Sequence, residues 1–383
     1  MSKKHIFFYK LVRPLVIAYL WLKFGYTFKV AKDLPDTYIV LSNHTTDYDP
    51  LFLAASFPRQ MYFVGSEHIS RWKGMYLFLK YCFAPIMRPK GALASSTVIE
   101  MLRKVRGGAN VCLFAEGVRS WDGTPSPILP STGKMVKSAH CGLVTYRITG
   151  GYFTSPMWSP SNNPRRGPVH GEVVHIYTPE QLSQMTAGEV QAAIVADLAE
   201  DAYDRQLAAP QKYTGKALAE GMENLLFLCP HCGGMDTLRS HGDTVSCDSC
   251  GLRFRYTEYG TLEGETFPTI RDFSLWQKAQ VLQAARNGQS YTAASCTLTR
   301  VAEHQEFPVG QGPLSLSGDS LTCGDIKFPL DQISDLAMHG KRAIVFTVQK
   351  DYYELIPSAE ANALKFMLLY QAYQNKPALT QAV

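Results

Sequence analysis

Several things are missing from this 383-residue chain, and each absence narrows what it can be. Its nine cysteines do not form a disulfide framework: four fall in two tight pairs and five are scattered. That usage points to a reducing, cytosolic setting. The apolar run Leu15–Leu22 is short, and no small-residue cleavage site follows it, so no secretory signal is expected. No stretch reaches about 18 uninterrupted apolar residues, so no membrane-spanning helix is expected either. There is no solenoid repeat and no low-complexity tract. A net charge of +5 is too modest to indicate nucleic-acid binding. With 46% hydrophobic and 11% aromatic residues the chain is not disordered, and its length suits two or three domains.

Acid is absent from one end. Lys3, Lys4, Lys10, Arg13, Lys23, Lys29 and Lys32 all precede the first acid, Asp33. They punctuate "IFFYKLVRPLVIAYLWLKFGYTF", in which Pro14 is expected to kink or divide any helix. Cations beside Tyr19, Trp21 and Phe24 suit a segment lying at a membrane surface, and residues 1–32 are read that way. The alternative is a core helix whose cations snorkel to water.

Residues 33–206 alternate in pattern. "TYIVL", "MYFVG", "NVCLFA", "LVTYRIT" and "VHGEVVHIY" predict strands. Helices are predicted from Pro50, over "ASSTVIEMLRKV" with a serine cap, over "GKMVKSAHC", and as one amphipathic helix from Gly188 to Gln206. This is an α/β domain with a mostly parallel sheet and flanking helices. In such sheets ligands bind beyond the carboxyl ends of the strands. Residues 207–226 read as a linker, 227–258, which carry the two tight cysteine pairs Cys229-x2-Cys232 and Cys247-x2-Cys250, as a zinc ribbon, and 259–383 as a β-rich accessory domain with a C-terminal helix. Its run of strands closed by one helix is similar in pattern to a pleckstrin-homology barrel.

Two blocks follow predicted strands. "LSNHTTDYDP" places His44 near Asp47 and Asp49. Asp49 before Pro50 is ordinary helix-start chemistry. A carboxylate that holds an imidazole also fixes its tautomer and makes it a general base. The second block, "FAEGVRS", sets Glu116, Gly117 and Arg119 after a buried strand. There glycine admits close backbone approach and arginine can grip a phosphate bidentately. Between them "FAPIMRPKG" offers Arg88 and Lys90.

In this order, "NHTTDYD", "PIMR" and "FAEGVRS" resemble the glycerolipid (lysophospholipid) acyltransferase family over roughly residues 30–206. Met87, Ala115 and Val118 depart from its usual residues, and "GLVTYRITG" lacks the proline of its fourth motif. The resemblance implies His44 as general base and Asp49 as its partner. Asn43, Arg88, Glu116, Gly117 and Arg119 become acceptor contacts. It implies acyl-CoA or an acyl-carrier protein as donor. The expected acceptor is a lysophospholipid or glycerol phosphate, above all 1-acylglycerol 3-phosphate giving phosphatidic acid. The expected place is the cytoplasmic face of a membrane, with no nucleic-acid partner. The alternative is a non-catalytic lipid-binding scaffold on a degenerate domain.

Cys229-x2-Cys232-x14-Cys247-x2-Cys250, with Gly233 and Gly251 after each pair, is the spacing of a structural zinc site. His231 and His241 are expected to be bystanders.

Overall fold

The computed structural model describes residues 3–66, 85–88, 94–302 and 305–374. The chain divides into two compact units, Met1–Met157 with Pro164–Gly215, and Trp158–Asn163 with Lys216–Val383.

The first unit begins with helix α1 (Lys3–Phe24) and strands β1 (Tyr26–Phe28) and β2 (Tyr38–Ser42). Then come α2 (Asp49–Ser56), β3 (Met61–Ser66), β4 (Ile86–Arg88), α3 (Ala94–Arg106) and β5 (Asn110–Phe114). α4 (Thr132–Ala139), β6 (Gly142–Thr149), α5 (Gly151–Thr154) and β7 (Val169–Tyr177) follow. α6 (Pro179–Gln184), α7 (Ala187–Leu198) and α8 (Ala202–Ala208) complete it. The sheet order is β1-β7-β6-β2-β5-β3-β4. Every pair is parallel except β6 with β7. Period-two alternation splits β2 between two apolar layers. Tyr38 and Val40 join the α1 and α2 side with Leu20, Phe24 and Phe52. Ile39 and Leu41 join the α3, α4 and α7 side with Met101, Val136 and Ile194. The sheet is therefore covered on both faces, as parallel strands require.

Two expectations change here. Pro14 does not divide α1, which runs through it. Its ring is exposed, so the carbonyl it leaves without a partner is on the solvent side. The single helix expected from Gly188 to Gln206 is two. Asp201 accepts the N–H groups of Tyr203 and Asp204 and starts α8 afresh. α1 is long and apolar enough to cross a membrane by length and composition alone, a test that a helix packed on its own domain also passes.

In the second unit, β8 (Leu238–His241), β9 (Thr244–Cys247), β10 (Arg253–Tyr256) and β11 (Leu262–Glu263) form an antiparallel ribbon. After α9 (Ile270–Arg286) come β12 (Tyr291–Ala302), β13 (Gln305–Leu316), β14 (Ser320–Cys323) and β15 (Ile326–Pro329). β16 (Ile333–His339), β17 (Ala343–Val348) and β18 (Asp351–Pro357) follow. These seven strands make one antiparallel, nearly closed sheet in the order β15-β14-β13-β12-β18-β17-β16, and α10 (Leu364–Tyr373) follows it. The stretch read as a linker contributes core: Leu218, Ala219, Met222, Leu225 and Leu226 are buried.

Candidate active site

β2 and β5 lie side by side and parallel, with Ser42 opposite Phe114 at their carboxyl ends. Both motif blocks therefore leave the sheet at the same level. Asn43 is buried, with its amide engaged by β6: Ile148 N–H donates to Oδ1 at 2.8 Å, and Nδ2 donates to the Ile148 carbonyl at 2.9 Å. That fixes where the next residue starts.

The next residue is His44. Its Nδ1 lies 2.8 Å from Asp49 Oδ2. Asp49 is fully buried and takes further bonds from the N–H groups of Thr45 (2.5 Å) and Thr46 (3.0 Å). The hydroxyls of Thr45 (3.1 Å) and Thr46 (2.9 Å) also donate to it. Both oxygens of this carboxylate thus serve as acceptors. Nδ1 then carries the proton and donates, and Nε2 keeps its lone pair. Asp49 does not cap the helix. Tyr48 precedes it without a side-chain cap, and Asp49 is already inside the first turn, facing back to the loop. The His44 ring stacks on Phe114, with centroids 4.2 Å apart and planes 15° from parallel.

The second block closes on the first. Ala115 N–H donates to the Ser42 carbonyl (3.1 Å), and Ser120 N–H donates to the His44 carbonyl (3.2 Å). Glu116 Oε1 accepts His44 N–H at 3.0 Å, and Oε2 accepts Ser126 N–H at 2.7 Å. Burial pushes the Glu116 carboxyl up to about 7, although the N–H groups of Ser126 and His44 pull it back. Gly117 makes the turn with a φ of +71°, a region that favours glycine. Arg119 Nη1 lies 3.0 Å from Asp47 Oδ2, with the arginine side chain 14% exposed and the aspartate 47%. Asp47, the rival acid in sequence, thus pairs with the arginine and Asp49 with the histidine.

A small cavity of about 10 Å³, room for one water-sized group, is lined by Asn43, His44, Thr45, Glu116, Ser120 and Tyr152 among others. Arg88 ends β4 opposite Ser66. Its side chain, like Lys90 and Cys82, lies outside the described residues. Cys112 is fully buried in β5, and burial raises its thiol well above the usual range, so it offers no nucleophile. Thr45, Thr46, Phe114 and Ser126 were not singled out by the sequence. The "HTT" tripeptide was the available signal, because hydroxyls beside a turn carboxylate are habitual donors.

In the second unit the sulfur atoms of Cys229, Cys232, Cys247 and Cys250 all lie within 4.8 Å of one another. Cys229 and Cys250 are 3.7 Å apart, Cys232 and Cys247 3.8 Å. A tetrahedron of thiolates with metal–sulfur bonds of about 2.3 Å has edges of about 3.8 Å, so the four residues fit a metal ion. Both knuckles close alike: Gly233 N–H donates to the Cys229 carbonyl and Gly251 N–H to that of Cys247, each at 3.0 Å. Both glycines have positive φ, +68° and +75°. His231 stands 3.7 Å from Glu265.

The family model described as Acyltransferase matches residues 27–149. Among solved structures, the chain is similar to the 1-acyl-sn-glycerophosphate (LPA) acyltransferase, PlsC, from Thermotoga maritima. The identity is 17%, the match covers 52% of this chain and 80% of that one, and the TM-score is 0.44. No curated protein matches the chain.

Proposed function

We infer that the acyltransferase-family domain of this chain, matched over residues 27–149, moves an acyl group from an acyl thioester to the hydroxyl of a lysophospholipid. One observation carries the reading: the His44–Asp49 pair and the Glu116–Arg119 segment are stitched together at the ends of two adjacent parallel strands. In the mechanism, His44 Nε2 accepts the proton of the acceptor hydroxyl as its oxygen bonds to the acyl carbon. The carbon–sulfur bond then breaks, and the imidazolium returns the proton to the departing thiolate. Asp49 holds the tautomer and stabilises the imidazolium. Arg119 meets the acceptor phosphate. The narrower acceptor, 1-acylglycerol 3-phosphate, keeps every one of these roles.

The test is acyl transfer by purified protein, from palmitoyl-CoA to a panel of lysophospholipids, read by mass spectrometry. Product formed by the wild type and lost in His44→Ala is the expected result. No product with any acceptor would favour the scaffold reading instead.

Two further assignments accompany this one. The four cysteines hold a structural zinc ion, which closes the ribbon without taking part in transfer. Metal analysis of the purified protein is expected to give one zinc per chain, and its absence would remove the site. Helix α1 docks on a membrane from the cytoplasmic side. It buries Tyr9, Val16, Leu20 and Phe24 against the domain and leaves Phe7, Leu11, Leu15, Trp21 and Leu22 exposed. Arg13 donates to the carbonyls of Ala54 and Ala55, and Tyr9 to those of Ala54 and Phe57. A spanning pose would strip these bonds, which supports a helix lying in the interface. Leu11→Glu with Leu15→Glu should then release the protein from anionic vesicles in sedimentation. The strand order of the seven-stranded sheet, with its following helix, supports the pleckstrin-homology-like reading of that part.

A further inference from the structure

We propose that Glu116 is a positioning residue for the general base rather than a contact of the acyl acceptor. The proposal rests on the acyl-transfer reading of the site.

The backbone of His44 leaves β2 with an N–H that no strand partner takes; Glu116 Oε1 takes it at 3.0 Å. The other oxygen, Oε2, holds Ser126 N–H at 2.7 Å, ten residues further along. The carboxylate is therefore a two-ended strut between the turn that carries the base and the loop that follows β5. Each oxygen already accepts a protein N–H, so half of the carboxylate's lone-pair directions hold the protein itself before any acceptor arrives. The strut is itself anchored, because Gly117 N–H donates to the Phe114 carbonyl at 3.1 Å. The segment Phe114–Gly117 thus governs His44 twice. Phe114 sets the plane of the ring, Glu116 sets the height of the backbone, and Asp49 fixes the remaining rotation through Nδ1. A displacement of about 1 Å in a reacting group costs about 10²-fold in rate. A bond to the backbone of the base therefore acts on turnover and not on affinity.

Gln is the informative replacement. It keeps one acceptor oxygen but sets an NH2 donor against the other N–H, so one end of the strut fails. With the acyl-CoA assay, Glu116→Gln should lower kcat about 10²-fold while the acceptor KM stays within about twofold. Glu116→Asp, which retains two acceptor oxygens, should recover part of the loss. In protein labelled with 15N-histidine, the Nδ1–H signal of His44, assigned by its disappearance in His44→Ala, should shift in Glu116→Gln. A KM raised about tenfold or more with kcat and the Nδ1–H signal unchanged would make Glu116 an acceptor contact and overturn the proposal. If Glu116→Gln does not fold, Glu116→Asp is read on the same three quantities. If the wild type acylates no acceptor, the acyl-transfer reading fails, while the Nδ1–H signal still decides whether Glu116 holds His44.

Discussion

Among the described residues, the first unit contains two histidine–aspartate pairs of nearly the same geometry. His44 Nδ1 lies 2.8 Å from Asp49, and His175 Nδ1 lies 2.7 Å from Asp197. Both acids are buried and bonded to hydroxyls: Asp49 to those of Thr45 and Thr46, Asp197 to those of Thr145 and Tyr177. Distance and acid burial do not tell them apart. Surroundings do. The His44 side chain is 20% exposed, lines a cavity and stacks on Phe114, and its backbone N–H is held by a carboxylate where that of His175 is held by the Thr145 hydroxyl. The His175 side chain is 61% exposed, on strand β7, and its acid ties α7 to the sheet through Thr145 and Tyr177. A dyad becomes a base when it sits at the end of a parallel strand beside groups that can hold a substrate.

The largest effect expected separates the pairs outright. His44→Ala should remove transfer by at least about 10³-fold, whereas His175→Ala should leave kcat/KM within about twofold. A comparable loss in both would mean that the two pairs act together. Next come the acids. Asp49→Asn should cost about 10²–10⁴-fold in kcat, since the amide favours the wrong tautomer of His44. Asp197→Asn should instead cost about 1–3 kcal/mol of stability, measured by urea unfolding, because buried donors lose an acceptor.

The sequence carried both motif blocks because strand-to-turn patterns are short and local. It carried β2, β3, β5, β6 and β7 for the same reason: five or more residues suffice to display a run or an alternation. It did not carry β1 or β4, which are three-residue strands too short to show a period. The choice between Asp47 and Asp49 was open at the level of spacing. It is decided by where the first turn of α2 points its carboxylate, which no spacing encodes. The strut role of Glu116 was equally hidden, because its partners are backbone N–H groups and any residue at 44 or 126 except proline supplies one. His175–Asp197 passed unnoticed since its members are 22 residues apart on different elements.

The pH dependence of stability sharpens the contrast through Glu116, because the side chain that takes the His175 N–H is the hydroxyl of Thr145, which does not titrate in this range. Burial raises its carboxyl from 4.5 to about 7 in the folded protein. Between those values the folded state binds more protons than the unfolded one, so stability falls as pH rises through that window and levels off above about 7. The full change is on the order of 3 kcal/mol, because each tenfold change in proton affinity is worth about 1.4 kcal/mol. Glu116→Gln should flatten the stability profile between about pH 4.5 and 7, measured by urea unfolding. A profile that keeps its slope in the variant would place the titration elsewhere.

The smallest effect concerns Asp47, which only the His44 site has beside it. It occupies one side of the Arg119 guanidinium, the group assigned to the acceptor phosphate. Two anions competing for one cation repel each other, and a half-exposed ion pair of this kind contributes up to about 1 kcal/mol. Asp47→Asn should therefore lower the KM for a phosphorylated acceptor by up to about fivefold with kcat unchanged. The gain should shrink as ionic strength rises, because the charges involved are partly in water. A KM that rises instead would make Asp47 the group that aims Arg119, so the site would depend on both acids of the turn: Asp49 for the base and Asp47 for the phosphate.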